Sequence, residues 1–256
     1  MNCRDCIRVV LVSPRNPLNI GAVARAMANF GFADLAVVAP YEAHWREAQS
    51  AVGAEDLLHA ARVCATLAEA VADRTCVIGT GTLTYRKAEQ PVVPLPALAP
   101  RIKPDLDNGG RIAIVFGPEK HGLTREDLAL CHLFVEIPTD VRQPSMNLGQ
   151  AVAVCLYELA TRLIVADEAL LPPSAKTLST SAELDRLAEV VEDAMTGAGY
   201  SPHVMQTANR HDLRLLLRRL ALSTRDTRRA LGLFRRIAWR LNHIPAAGKA
   251  GSAKPK

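Results

Sequence analysis

The chain has 256 residues, of which 49% are apolar, 22% charged and only 4% aromatic. That length and balance fit one large α/β domain, or a domain with an appendage, and exclude a disordered, collagenous or coiled-coil chain. The formal charge of +5 divides into an acidic body, with 18 Lys/Arg against 24 Asp/Glu over residues 1–202, and a basic tail, with 13 against 2 over 203–256, which points to a polyanionic partner such as nucleic acid or an acidic membrane surface.

Taken in chain order, IRVVLV at 7–12 predicts a buried strand that enters a loop at Ser13-Pro14. Residues 19–30 follow with Ile20, Val23, Ala24, Met27 and Phe30 at helical spacing, and Gly31 closes that helix. A strand at 35–38, a helical stretch over 55–72, a strand at 76–78, a strand at 112–116, a helix over 125–132 and a strand at 134–137 come next. Strands alternating with helices predict βαβ units and a mostly parallel sheet. Thr124 to Asp127 reads as a capping box. Residues 90–107 hold five prolines and read as a loop or edge connection. The last helix of the body starts near Asn147 and runs through AVAVCLYELATRLI, so the body is placed at 1–170. Pro172-Pro173 and the Ser/Thr-rich run behind it predict a linker over 171–181. Helical patterns at 182–195, 208–222 and 224–243 then form a small module over 182–245, followed by a mobile basic tail at 246–256.

No apolar run approaches the roughly 18 residues of a membrane span, and the N-terminus carries no export pattern. A cytoplasmic protein with no membrane contact is the expectation. Six cysteines, at 3, 6, 64, 76, 131 and 155, read as thiols, four of them in apolar segments. Cys3 and Cys6 form a lone CxxC without further zinc ligands, so no metal is expected.

Neither GxGxxG nor GxxxxGK[ST] occurs, which removes the usual nucleotide cradles. Three unusual loops follow strands instead: SPRNPLNIGAVAR, FGPEKHGL and IPTDVRQPSMNLGQAV. Ligands of open α/β sheets bind outside the carboxyl ends of the strands, so these loops are expected to converge. Asn19 sits at an expected helix start, where it is ordinarily a cap, and Arg25 lies about two turns further on. Gly117 and Gly122 flank Pro118, Glu119, Lys120 and His121, allowing backbone to approach a ligand closely. Gln143, Ser145 and Asn147 precede an apolar helix, the ordinary place of an N-cap.

NIGAVARAMANFGF, VFGPEKHGLT and PSMNLGQAVAVCLYE, in that order, resemble the three motifs of the SPOUT superfamily of RNA methyltransferases, in particular the TrmH-like 2′-O-ribose methyltransferases, over residues 7–163. The AVARAMANFG wording and the helical extension look most like the TrmJ branch, whose members methylate the ribose of nucleotide 32 in the tRNA anticodon loop. The resemblance implies an α/β-knot fold, a parallel sheet with a deep C-terminal trefoil knot, in an obligate homodimer. It implies S-adenosylmethionine as cofactor, with Thr80, Gly81, Thr82, Gly117, Ile137, Met146 and Leu148 as its contacts, largely through main-chain groups. Arg25 matches the family's catalytic arginine. A guanidinium with a pKa above about 12 is a poor free base, so clamping the phosphate beside the target ribose is the more defensible role. Alignment of this kind supplies about 7–11 kcal/mol. By the same resemblance Asn19 orients Arg25 or the ribose, Glu119 holds and polarises the arginine, and Ser145 and Asn147 position the hydroxyl and shape the cofactor loop. Met146 stands where much of the family has leucine, a nearly volume-conserving change.

The basic tail fits an RNA substrate, which branch resemblance narrows to tRNA. Arg210, Arg214 and Arg218 are spaced by four, and Arg225, Arg228, Arg229, Arg235, Arg236 and Arg240 lie on the polar face of the last helix. Scarce aromatics point to a substrate held by its folded backbone and ribose. Two alternatives are an rRNA 2′-O-methyltransferase of the same family and a non-catalytic RNA-binding protein on the same scaffold. Arg25, Asn19, Glu119 and Asn147 argue against the second.

Overall fold

In the computed structural model, residues 3–82, 89–165, 177–200 and 205–243 are described. The strands are β1 (Ile7–Val12), β2 (Asp34–Val38), β3 (Arg62–Cys64), β4 (Cys76–Gly81), β5 (Val92–Pro94), β6 (Ile112–Phe116) and β7 (Leu133–Glu136). All pairings are parallel, in the order β3-β2-β1-β6-β4-β7-β5. The helices are α1 (Pro17–Phe30), α2 (Glu55–Ala60), α3 (Leu67–Val71), α4 (Leu98–Asp107), α5 (Arg125–Ala129), α6 (Leu148–Val165), α7 (Ser181–Gly197), α8 (Gln206–Arg219) and α9 (Thr224–Asn242).

Helices cover both faces of the sheet, which is why β1 and β6 read as unbroken apolar runs rather than alternating ones. Val9, Leu11, Val37, Ile78, Ile114 and Val135 turn to one face, against apolar residues of α1, α4 and α6. Val10, Val38, Val77 and Val115 turn to the other, against α3 and the residues after α5. Arg8 is the one charged residue of β1, and it is buried with its donors satisfied: Nε donates to Asp34 at 2.9 Å and Nη1 to Asp73 at 2.7 Å. Burial alone would raise the Asp73 carboxyl, but its bonds and proximity to Arg74 and Arg8 bring it down to about 2.

One sequence expectation is corrected and another narrowed. The stretch 55–72 is not one helix: α2 and α3 flank β3, a three-residue edge strand whose first two side chains are exposed. Residues 90–107 are the edge connection rather than a loop, and a structured one, because they hold the edge strand β5, one 3-10 turn and α4. Pro100 falls in the first turn of α4, where an N–H has no intrahelical partner, and Pro104 then forfeits only the bond to the Pro100 carbonyl.

All six cysteines are free thiols, and burial pushes Cys76, Cys131 and Cys155 up to about 12. No helix among the described residues is long and apolar enough to cross a membrane.

Helices α7 to α9 enclose a small core of Leu187, Ala188, Val191 and Leu217, packed by Leu231 and Phe234. The module is fastened to the body. Ser181 N donates to Arg74 O at 2.7 Å, and Ala182 N donates to Ala72 O at 3.0 Å. Residues 171–176 of the expected linker, and the tail at 246–256, lie outside the described residues. Residues 178 and 179 are pinned rather than loose: Leu178 bridges Ser223, and the Ser179 and Thr227 hydroxyls meet at 2.7 Å.

Candidate active site

The sheet register brings the expected loops to one edge. Leu11 pairs with Phe116, Gly79 with both Val115 and Phe134, Thr80 with Val135 and Gly81 with Glu136. The segments after β1, β4, β6 and β7 therefore leave neighbouring carboxyl ends, the usual ligand position in such a sheet.

Helix α1 begins earlier than residue 19. Asn16 is its N-cap, with Oδ1 accepting from Leu18 N at 2.9 Å, and Pro17 fills the first helical position. The Asn-Pro pair was the local signal for this start. Asn19 is thereby released from capping, and both ends of its amide bind elsewhere. Its Nδ2 donates to Glu119 Oε1 at 2.9 Å, and its Oδ1 accepts from Asn147 Nδ2 at 2.9 Å. Glu119 also accepts from Asn16 N at 3.2 Å and from Arg15 N at 3.1 Å. The roles of these two backbone amides were not legible in the sequence.

Asn147 is the N-cap of α6: its Oδ1 accepts from Gly149 N at 2.9 Å and from Gln150 N at 3.4 Å. The amide orientations follow from the ends of the chain of bonds. The Glu119 carboxylate only accepts, so Asn19 turns its amino group toward it. The Asn19 carbonyl then faces Asn147, whose own carbonyl is left for the N–H groups of α6. Burial would raise the Glu119 carboxyl, but the bonds from Asn19 and from backbone N–H groups outweigh it and hold it below the usual range. One relay of hydrogen bonds thus stitches the loops after β1, β6 and β7.

Gly117 and Gly122 serve this relay. A Cβ on Gly117 would lie 2.3 Å from Gly122 C and from Leu123 N, and Gly122 has φ +65°. The glycines let the loop close on itself, with Glu119 between them reaching α1. Gly149 has a similar role between helices, since a Cβ there would meet Ala22 Cβ at 2.8 Å.

Arg25 lies one turn beyond Ala22 on α1 and is exposed, with no hydrogen-bond or ion-pair partner among the described residues. No hydrogen bond joins it to Glu119 or to Asn19, the two residues expected to act on it, and both are members of the relay. Ser145 is also exposed, in a loop closed by Thr139 Oγ1 donating to Pro144 O at 3.2 Å.

Among the expected cofactor residues, Thr80 is buried and its hydroxyl donates to Val115 O at 2.9 Å, so that hydroxyl is structural. Gly81 lies beside the Phe134 ring, Ile137 and Met146 are half-buried, and Leu148 is buried in the first turn of α6. These residues offer strand-end backbone and apolar walls without a cationic side chain. That donor set suits a ligand that carries no phosphate.

The arginine row of α8 is corrected. Arg218 is only 3% exposed and donates to Leu130 O, Ser181 Oγ and Asp185 Oδ1. Arg214 faces Asp185 at 3.8 Å, and Arg210 pairs with Glu192 at 2.8 Å. Spacing by four aligned these cations with acidic residues of α7, so Arg218 is a structural residue and the other two are paired. The α9 arginines at 225, 228, 229, 235, 236 and 240 are exposed and unpaired among the described residues.

A profile of the SpoU rRNA Methylase family matches residues 6–157. The chain belongs to that family. Over 161 residues this SpoU family member is 42% identical to the tRNA (cytidine/uridine/adenosine-2′-O-)-methyltransferase TrmJ of Pseudomonas aeruginosa, a match that spans 60% of this chain and 60% of that relative. It is 31% identical over 239 residues to the tRNA (cytidine/uridine-2′-O-)-methyltransferase TrmJ of Klebsiella pneumoniae, covering 90% of this chain and 93% of that one. The crystal structure of TrmJ from Z. mobilis superposes with a TM-score of 0.77 at 31% identity, covering 89% of this chain and 96% of the other. The match to that structure takes in much of the helical module as well as the SpoU body.

Proposed function

We propose that this SpoU family member transfers the methyl group of S-adenosylmethionine to a ribose 2′-hydroxyl of tRNA, at nucleotide 32 of the anticodon loop, as a cytoplasmic homodimer. The carrying observation is the Glu119–Asn19–Asn147 relay, which ties three strand-end loops together, with Arg25 exposed and unpaired further along α1 from Asn19. The named tRNA 2′-O-methyltransferases among its relatives support the substrate class.

Thr80, Gly81, Thr82, Gly117, Ile137, Met146 and Leu148 hold the cofactor in this reading. Bound there, the sulfonium supplies a methyl group already activated by positive charge. The chain's own residues do the positioning. Arg25 clamps the phosphate beside the target ribose with its planar fork, and that phosphate or the arginine itself would take the hydroxyl proton as the methyl group would pass from sulfur to the ribose oxygen, the sulfur–methyl bond breaking to leave neutral S-adenosylhomocysteine. Ser145 approaches the hydroxyl, while Glu119, Asn19 and Asn147 hold the loops at fixed separation. The trefoil knot belongs to the same proposal, supported by β6 lying between β1 and β4 and by β7 lying between β4 and β5. Exposed Leu18, Val154 and Tyr157 on α1 and α6 supply apolar surface for a dimer contact.

The test is methyl incorporation into a tRNA transcript from labelled S-adenosylmethionine, with calorimetry of cofactor binding alongside. Arg25→Ala should lower incorporation by about 100-fold or more, on the order of 3 kcal/mol of transition-state stabilisation, and still bind cofactor. An active Arg25→Ala would remove the role of the arginine; an unaltered chain that binds no cofactor would remove the enzymatic reading.

A further inference from the structure

Trp239 lies on the solvent side of α9, away from the core that would ordinarily take a tryptophan. Thr227 and Ala238 are buried roughly a third of a turn round the helix, with Ala230, Leu231 and Phe234 packed toward the module core. At about 3.6 residues per turn Trp239 instead shares the solvent side with Arg228, Gly232, Arg235, Arg236 and His243. It is 54% exposed.

The indole is nonetheless held. Its ring stacks on His243 with centroids 4.7 Å apart and planes 21° from parallel, and His243 Nδ1 lies 2.8 Å from Trp239 O. A carbonyl oxygen only accepts, so Nδ1 carries the proton and the imidazole is fixed beneath the indole. Arg235 and Arg236 stand one turn before the ring and Arg240 beside it, all exposed and unpaired among the described residues. One turn further back, nothing lies within 4 Å of where a Gly232 Cβ would be, which leaves a notch in the arginine face.

A rigid, half-exposed aromatic among free guanidinium groups has the chemistry of single-stranded nucleic-acid contact: a π-face for a base and cations for the flanking phosphates. A membrane surface fits less well, because Leu231 and Phe234 of α9 are packed against its own module and only Leu233 and Ile237 remain exposed as further apolar side chains of that helix. We propose that the Trp239–His243 stack is a platform for one unpaired nucleobase of the RNA substrate, with Arg235, Arg236 and Arg240 on the adjoining phosphates. The proposal rests on the RNA-substrate reading above and adds a base contact to it. Scarcity of aromatics in the composition then does not mean absence of stacking.

The chain has two tryptophans, and Trp45 is 2% exposed, so a change in tryptophan emission on RNA binding reports Trp239. The full chain is titrated with a tRNA, with a perfectly paired RNA duplex and with polyglutamate at matched charge concentration. tRNA should quench the emission saturably, and the other two should not. Trp239→Ala should weaken tRNA binding by about 5- to 150-fold, the range for one stacked base, with an unchanged salt slope and melting temperature. Trp239→Phe should restore most of the affinity. Wild-type affinity in Trp239→Ala, or equal quenching by duplex or polyglutamate, would overturn the platform. Failure of the unaltered chain to bind any RNA would instead remove the substrate reading beneath it.

Discussion

Asn147 Nδ2 donates to Asn19 Oδ1 across 2.9 Å while Asn147 Oδ1 caps α6, so one amide couples the start of α6 to the first turn of α1. Asn147→Asp separates the two tasks. Aspartate is an equally good N-cap, but it has no hydrogen to give Asn19. Flipping the Asn19 amide to satisfy it would turn a carbonyl toward the Glu119 carboxylate. The variant should keep its stability within about 0.5 kcal/mol and slow methylation at least tenfold. Asn147→Ala should impair both, with a stability cost of about 1 kcal/mol. Thermal melts and single-turnover methylation rates on the same preparations check the split.

His132 should set an acid limb of stability. Burial, with the charge of Arg218 adding to it, lowers its imidazole to about 3, and its Nδ1 accepts from Val77 N at 3.1 Å. The unfolded chain takes up the proton near pH 6.5, whereas the folded chain resists until about pH 3. Between those values the unfolded state binds more protons, so stability falls as pH falls. The slope from this one group is at most about 1.4 kcal/mol per pH unit. His132→Asn, which keeps an acceptor near Nδ1, should flatten the dependence of the melting temperature on pH across that window. An unchanged profile would show that the proton uptake lies elsewhere.

Legibility of the fold followed burial. IRVVLV and IAIVF were read with correct bounds because strands covered on both faces are continuous apolar runs. Strand β3 left no such trace, since only Cys64 of its three residues is buried and the helices on either side supplied a helical rhythm across it. Helix α4 was hidden by prolines whose missing N–H groups cost it little at those positions. Within the site, the motifs located Asn19, Glu119 and Asn147 but not their partners. Which donor meets which acceptor is set by the sheet register and by the close approach of α1 and α6 at Gly149. The Arg210, Arg214 and Arg218 row misled for the same reason: i, i+4 spacing describes one helix and is silent about the acidic face of α7 opposite.

Arg218 and the α9 arginines should therefore behave oppositely. Arg218→Ala leaves Asp185 without its closest buried partner and should cost about 3–5 kcal/mol of stability, while the salt dependence of RNA binding stays the same. Replacing Arg228, Arg229, Arg235 and Arg236 together by Ala should leave the melting temperature nearly unchanged. It should also reduce the logarithmic salt slope by about 0.7 for each phosphate of single-stranded RNA that these arginines neutralise. Denaturant unfolding and binding isotherms at several salt concentrations read the two effects.

The most direct measurement is mass spectrometry of nucleosides from a tRNA transcript incubated with the full chain and S-adenosylmethionine, with fragments mapped to the anticodon loop. A methyl group on the ribose of nucleotide 32, absent when Arg25→Ala replaces the unaltered chain, is the expected result. A methyl group on a base, no transferred methyl group, or equal product from Arg25→Ala would contradict it.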